Sequence, residues 1–207
     1  MKTNPDYEKD LATIRTIMER SSKFLSLSGL AGILAGIYAL VGAAVAYRWI
    51  HYPASLFEYR TYSISDPGTR LALTVLALIV LAASLLTALW LSGRKAKKRG
   101  ERLWNGVSRK IFINFAVPLV TGGLFVLIVF YTGHFGLAAP GCLIFYGLAL
   151  INISANTFDE VRYLGMCEIV LGLIGAALPG FGLALWAMGF GVLHIVYGVV
   201  MYNRYDK

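Results

Sequence analysis

Three observations predict an all-α chain that crosses a membrane several times. The sequence is 57% hydrophobic and only 14% charged, which leaves too little polar surface to cover a water-soluble globule of 207 residues. Its apolar residues gather into six segments, at 24–47, 71–91, 111–131, 136–153, 163–178 and 182–202. Most of these approach the ~20 residues a helix needs to cross a ~30 Å hydrocarbon layer. The basic residues between the segments are distributed lopsidedly. Sixteen of the nineteen fall before the first segment, between the second and third, between the fourth and fifth, or after the sixth; only Arg48, Arg60 and Arg70 fall elsewhere. The positive-inside rule then puts both termini in the cytoplasm, as an even number of spans also requires. The expected architecture is a polytopic six-helix transmembrane domain over 24–207, multi-pass in the cytoplasmic (inner) membrane, with an amphipathic interfacial helix over 1–23.

In that leading segment Tyr7, Leu11, Ile14, Ile17 or Met18 and then Phe24 recur at helical spacing with charges between them, the pattern of a helix lying on an anionic leaflet. A docking site for a cytoplasmic protein partner is the other use of such a helix. No short apolar stretch with a small-residue cleavage site stands at the start, so the first span is expected to remain as an anchor. Between the first two spans, residues 48–70 hold Trp49, Tyr52, Phe57, Tyr59 and Tyr62, rings suited to the headgroup layer. Residues 57–64 alternate polar with apolar types, which permits a short strand or hairpin, and Asp66-Pro67-Gly68 reads as a turn.

The segment 93–110 carries Arg94, Lys95, Lys97, Lys98, Arg99, Arg102, Arg109 and Lys110 against a single acid, Glu101. We expect a polybasic loop that binds anionic lipid headgroups through Arg94, Lys95, Lys97, Lys98, Arg99 and Arg102, at on the order of 1 kcal/mol per charge. The membrane explains the net charge of +8, so nucleic acid is not an expected partner. Short connections after the third and fifth spans predict two antiparallel hairpins. The run from Tyr146-Gly147 to Asn152 is echoed from Tyr197-Gly198 to Asn203, as repeated hairpins would be.

Small residues mark the expected helix contacts, because lipid provides little hydrophobic drive between helices and close backbone approach must join them. Ser28, Gly32, Gly36, Ala39 and Ala43 line the first span, where a homo-oligomer seam is the alternative. Gly172, Ala176 and Gly180 line the fifth, and Ala187, Gly191 and Gly198 the sixth. Glu168 and His194 stand on the last two stripes, each about 15–17 Å below the outer end of its helix by the ~1.5 Å rise per residue. They are expected at one depth, bonded across the fifth and sixth spans. A carboxylate inside a membrane is a functional candidate by default. An imidazole titrates near neutrality, so the pair reads as either a proton-responsive site or structural glue. Tyr146, Tyr197 and Asn114 complete the expected polar site. Pro118 should free the Asn114 carbonyl one turn earlier.

Catalytic signatures are lacking. A rhomboid-type protease carries a serine nucleophile on its fourth span, where this chain reads Pro140-Gly141-Cys142-Leu143. His194 is alone in the membrane, one short of a bis-histidine haem site. Cys142 and Cys167 are too few for a metal cage and read as small packing residues. The expectation is a small transporter or channel-like protein without a cofactor, not an enzyme. The competing class is a structural or regulatory membrane protein that binds a partner or anionic lipid.

Overall fold

Six helices carry the chain through residues 27–50, 65–98, 100, 104, 106–178 and 180–207, which are the residues the structure, a computed structural model, describes. They are α1 (Gly29–Ile50), α2 (Pro67–Lys98), α3 (Gly106–Tyr131), α4 (Ala138–Ser154, entered through a 3₁₀ turn at Phe135–Leu137), α5 (Asp159–Ala177) and α6 (Gly182–Asp206). No strand occurs among the described residues. The lead-in helix expected over 1–23 and the strand or hairpin expected within 57–64 lie outside them.

The long apolar helices are those of an integral membrane protein. Five are long and apolar enough to cross a bilayer: α1, α2, α3, α4 with its 3₁₀ lead, and α6. The sequence predicts six. The exception is α5, whose 19 residues include Asp159, Glu160, Arg162 and Glu168. The two acids of its first turn favour helix initiation through the macrodipole but lower its apolarity.

Two boundaries differ from expectation. Asp66-Pro67-Gly68 does not turn the chain but starts α2: the Asp66 carboxylate accepts the Thr69 N–H at 2.7 Å, with proline in the first helical position, where its missing donor costs nothing. At its other end α2 continues through Lys98, for 32 residues or about 48 Å. Much of the expected polybasic loop is therefore helical, the last turns of α2 and the first of α3.

Four helices share one packing pattern. Gly29/Ile33/Gly36 on α1, Pro140/Ile144/Gly147 on α4, Gly165/Ile169/Gly172 on α5 and Gly191/Ile195/Gly198 on α6 all read Gly or Pro, three residues, Ile, two residues, Gly. Each final glycine seats on the first residue and the isoleucine of a partner helix. A Cβ at Gly36 would lie 2.6 Å from both the Gly191 carbonyl and Ile195 Cγ1; at Gly147, 2.6 Å from the Gly165 carbonyl and 2.7 Å from Ile169 Cγ1. Gly198 meets Gly29 and Ile33 in the same way, and Gly172 meets Pro140 and Ile144. The glycine stripes thus pair α1 with α6 and α4 with α5, instead of α5 with α6 as the hairpin reading expects. Tyr146-Gly147 and Tyr197-Gly198, the heart of the sequence echo, are the last two positions of this pattern.

The outer helices sit on these pairs. Val80 of α2 fills the space over Gly42 of α1, and Tyr38 and Thr87 bring their hydroxyls to 3.4 Å. On the other side Phe145 covers Gly122 of α3. Pro118 leaves the Asn114 carbonyl without its helical donor, and Asn152 of α4 supplies one at 2.7 Å. Apolar side chains such as Ile79, Leu86, Val117 and Ile128 remain exposed on α2 and α3, as lipid-facing residues should.

At the basic end, Asp206 closes the bundle. Its carboxylate accepts the Gly29 N–H at 2.8 Å, capping α1, and forms an ion pair with Lys95 of α2. Lys95 also donates to the Leu27 carbonyl at 2.6 Å. Beside this, Arg204 and Tyr205 bond Glu160 of α5 at 2.5 and 3.1 Å.

Candidate functional site

Glu168 and His194 occupy the same position in the shared pattern, immediately before the isoleucine of α5 and α6 respectively. On those helices the glycine seats against α4 and α1 leave this position turned toward the space between the two helix pairs. Leu143 stands at the equivalent place on α4 and is fully buried there.

His194 Nδ1 lies 3.3 Å from Glu168 Oε1. Glu168 is 0% exposed and His194 5%. The approach is at ion-pair distance without hydrogen-bond alignment: both Glu168 oxygens are buried with no hydrogen-bond partner, because Nδ1 is directed to the Gly189 carbonyl at 3.0 Å. A carbonyl only accepts, so this contact places a proton on Nδ1. On the other side of the ring, His194 Nε2 and the Tyr146 hydroxyl are 2.9 Å apart. In neutral imidazole Nε2 is then the acceptor and Tyr146 donates; in imidazolium the direction reverses.

A local break in α-helical hydrogen bonding builds this arrangement. Ala187–Leu193 is π-helical, and the His194 N–H bonds the Gly191 carbonyl, so the Gly189 carbonyl is met by the imidazole. Such π segments appear frequently at functional sites. Gly189 matters for a second reason: a Cβ there would collide with Glu168 Oε2 and sit 2.6 Å from Leu143 Cδ2. Gly189 is legible in the sequence only as one more small residue, since nothing local marks the π turn.

Aromatic rings close the site. Phe190 stacks on His194 at 5.7 Å between centroids and meets Tyr146 at a tilt at 5.0 Å. Trp186 meets Phe190 at a tilt at 5.1 Å, and Phe115 of α3 meets Tyr146 edge-on at 6.0 Å. A buried carboxyl inside a membrane costs several kcal/mol unless it is paired, and the His194 imidazole stands beside this one at 3.3 Å. The chemistry the cluster can perform is to take up and release a proton.

The structure places the other expected residues as follows. Tyr197 is on α6 one turn beyond His194, packed between the helix pairs. Asn114 is outside the cluster, its carbonyl engaged by Asn152. Of the lipid-binding set, Lys95 is turned inward to Asp206, whereas Arg94, Lys97 and Lys98 are exposed, with Arg94 4.9 Å from the Trp90 ring centroid. Arg99 and Arg102 lie outside the described residues. No group of three or more metal-ligating side chains occurs among the described residues. Compared with known proteins, the chain matches no family model, no curated protein and no solved structure.

Proposed function

We propose that this chain is a small transporter or channel-like protein, six-spanning in the cytoplasmic membrane with both termini inside, that works through Glu168, His194 and Tyr146. α5 is the fifth of these six crossings, over 163–178, its acidic first turn at the cytoplasmic surface. The observation that carries the reading is the Glu168 carboxyl: both oxygens are buried and lack a hydrogen-bond donor, beside an imidazole that is itself anchored at both nitrogens. Structural glue between helices would be expected to satisfy those oxygens. Reconstituted into proteoliposomes, the protein should move protons, alone or with a solute, and Glu168→Gln or His194→Gln should reduce that flux at least tenfold. Unchanged flux in both variants would refute the proposal.

A second reading rests on the exposed cations at the end of α2. Arg94 over Trp90, with Lys97 and Lys98, would bind anionic lipid headgroups, joined by Arg99 and Arg102. Lys95, held by Asp206, drops out of that set. Replacing the five cations with glutamine should reduce co-purified anionic lipid, while Lys95→Gln alone should not. Retention of lipid by the five-fold variant would remove this reading.

A further inference from the structure

The two glycine-seated pairs, α1 with α6 and α4 with α5, meet differently along their length. Near the turn between α5 and α6 they touch through small groups: a Cβ at Gly182 would lie 3.4 Å from Ala139 Cβ, and one at Gly175 3.3 Å from Leu185 Cδ1. Gly180, at φ 105°, reverses the chain there, a conformation that suits glycine. The outer helices α2 and α3 also meet at this end, where the Thr74 and Tyr131 hydroxyls are 3.3 Å apart. Halfway along, the pairs meet at the site, which takes Glu168 and Tyr146 from one and His194 from the other. Toward the basic end long side chains fill the space between them. Leu150 and Leu164 from one pair and Met201 from the other are buried in a single cluster, with Tyr197 and Tyr205 against it.

The last turn of α6, Tyr202–Asp206, closes the basic end with two sets of bonds. One set crosses to the other pair: Arg204 and Tyr205 bond Glu160 of α5 at 2.5 and 3.1 Å, and the Tyr205 ring lies 4.2 Å from that of Phe158. The second set stays with α1 and α2, where Asp206 accepts the Gly29 N–H at 2.8 Å and pairs with Lys95. Exposure decides which set parts more readily. The Arg204 side chain is 66% exposed, so water and salt screen its bond to Glu160 and little is lost when it breaks. Lys95 and Asp206 are 13% and 10% exposed, and separating a buried pair costs much more.

We propose that the last turn of α6 is a gate between the Glu168–His194 site and the basic end of the bundle. The gate opens when α1, α2 and α6 swing as one body away from α3, α4 and α5, pivoting at the small-group contacts beside the α5–α6 turn. Glu160 releases Arg204 and Tyr205, Phe158 releases Tyr205, and Asp206 keeps Gly29 and Lys95. His194 then draws away from Glu168 and Tyr146, and water reaches all three from the basic side. Rocking of one helix group against another around a central site is a recurrent mode of transport. The inference rests on the transport reading and adds to it the end from which the site is reached and the bonds that control access.

Spin labels on exposed residues outside the gate test this in proteoliposomes, with Cys142 and Cys167 replaced by alanine. Labels at Arg162→Cys and Asn203→Cys report across the two bodies, and labels at Lys98→Cys and Asn203→Cys within one. Double electron–electron resonance should show a second, longer distance for the first pair and a single distance for the other. In Glu160→Gln the longer population should grow about threefold, as loss of an exposed ion pair allows. One unchanging distance for the first pair in both proteins, or a second distance in the control pair, would overturn the proposal. A reducible bis-methanethiosulfonate linker then couples the gate to function. Joining Glu160→Cys to Arg204→Cys should lower flux about tenfold or more until the linker is reduced. Joining Ser28→Cys to Tyr202→Cys, beside the Gly29–Tyr202 contact within one body, should leave flux unchanged. Full flux through the first linked protein, or an equal block in the second, would overturn the gate and leave transport standing. A longer distance that grows in Glu160→Gln, with no flux in the unlinked protein, would leave the gate standing and sink transport.

Discussion

At Glu168 the absence of one neighbouring side chain decides what fits: its carboxyl lies over Gly189, where a Cβ would collide with Oε2. Gly189→Ala is therefore expected to displace Glu168, with loss of flux and a stability cost of about 1–3 kcal/mol as in other overpacked interiors. Thermal unfolding in detergent, together with a flux assay, checks both. A second residue-level prediction concerns Asn152. Its side chain serves the carbonyl that Pro118 leaves unpaired, so Asn152→Ala should cost about 1 kcal/mol, typical of a hydrogen bond between membrane helices. In a Pro118→Ala background the Asn114 carbonyl regains its helical donor, and the same substitution should cost much less. Equal costs in the two backgrounds would contradict this account. That Pro118 frees the Asn114 carbonyl follows from the sequence; that Asn152 answers it does not, because the two are 38 residues apart.

At the scale of elements, α1, α4, α5 and α6 are joined by repeated seats of glycine on isoleucine. Backbones approach closely there, so dispersion can do what the hydrophobic effect cannot do in lipid. Gly147→Val should destabilise the bundle by more than about 2 kcal/mol, since its side chain would enter the Gly165 carbonyl and Ile169. Gly123→Ala, at a position with no neighbour within 4 Å, should be neutral or slightly stabilising by helix propensity. Unfolding of the two variants side by side provides the check. The glycine spacing is plain in the sequence, but its partners are not: a stripe says that something approaches, and only the assembled bundle says which helix does.

At the scale of the molecule, the basic end ties the two helix pairs and α2 together. Asp206→Ala would leave Lys95 unpaired at 13% exposure and uncap α1. A loss of about 3 kcal/mol is expected, as for a half-removed buried ion pair. Lys95→Met with Asp206→Leu should cost less than the single change, and denaturation of both variants tests this. Glu160 gives the same end a dependence on pH. Burial pushes its carboxyl up, but its own backbone N–H, Arg204 and Tyr205 outweigh this and hold it below the ordinary range. A carboxyl lowered by folding contributes stability that is complete above the unfolded value of ~4.3 and lost as pH falls through the folded value. The effect should be under about 1 kcal/mol because Arg204 is exposed and screened. The melting temperature of the parent protein should therefore fall more between about pH 5 and pH 3 than that of Glu160→Gln.

The sequence by itself determined the solvent of this protein and the approximate place of its helices, because hydropathy and chain length act locally and need no partner. It also determined that Glu168 and His194 share a depth, which follows from the rise of a helix on either side of a short turn. Only the tertiary structure decided that α6 seats on α1 while its histidine reaches α4 and α5, that a π turn offers the Gly189 carbonyl to that histidine, and that Lys95 leaves the lipid surface for Asp206. Each of those depends on groups far apart in the chain meeting at bonding distance, and no local pattern records which of several equally apolar faces will meet.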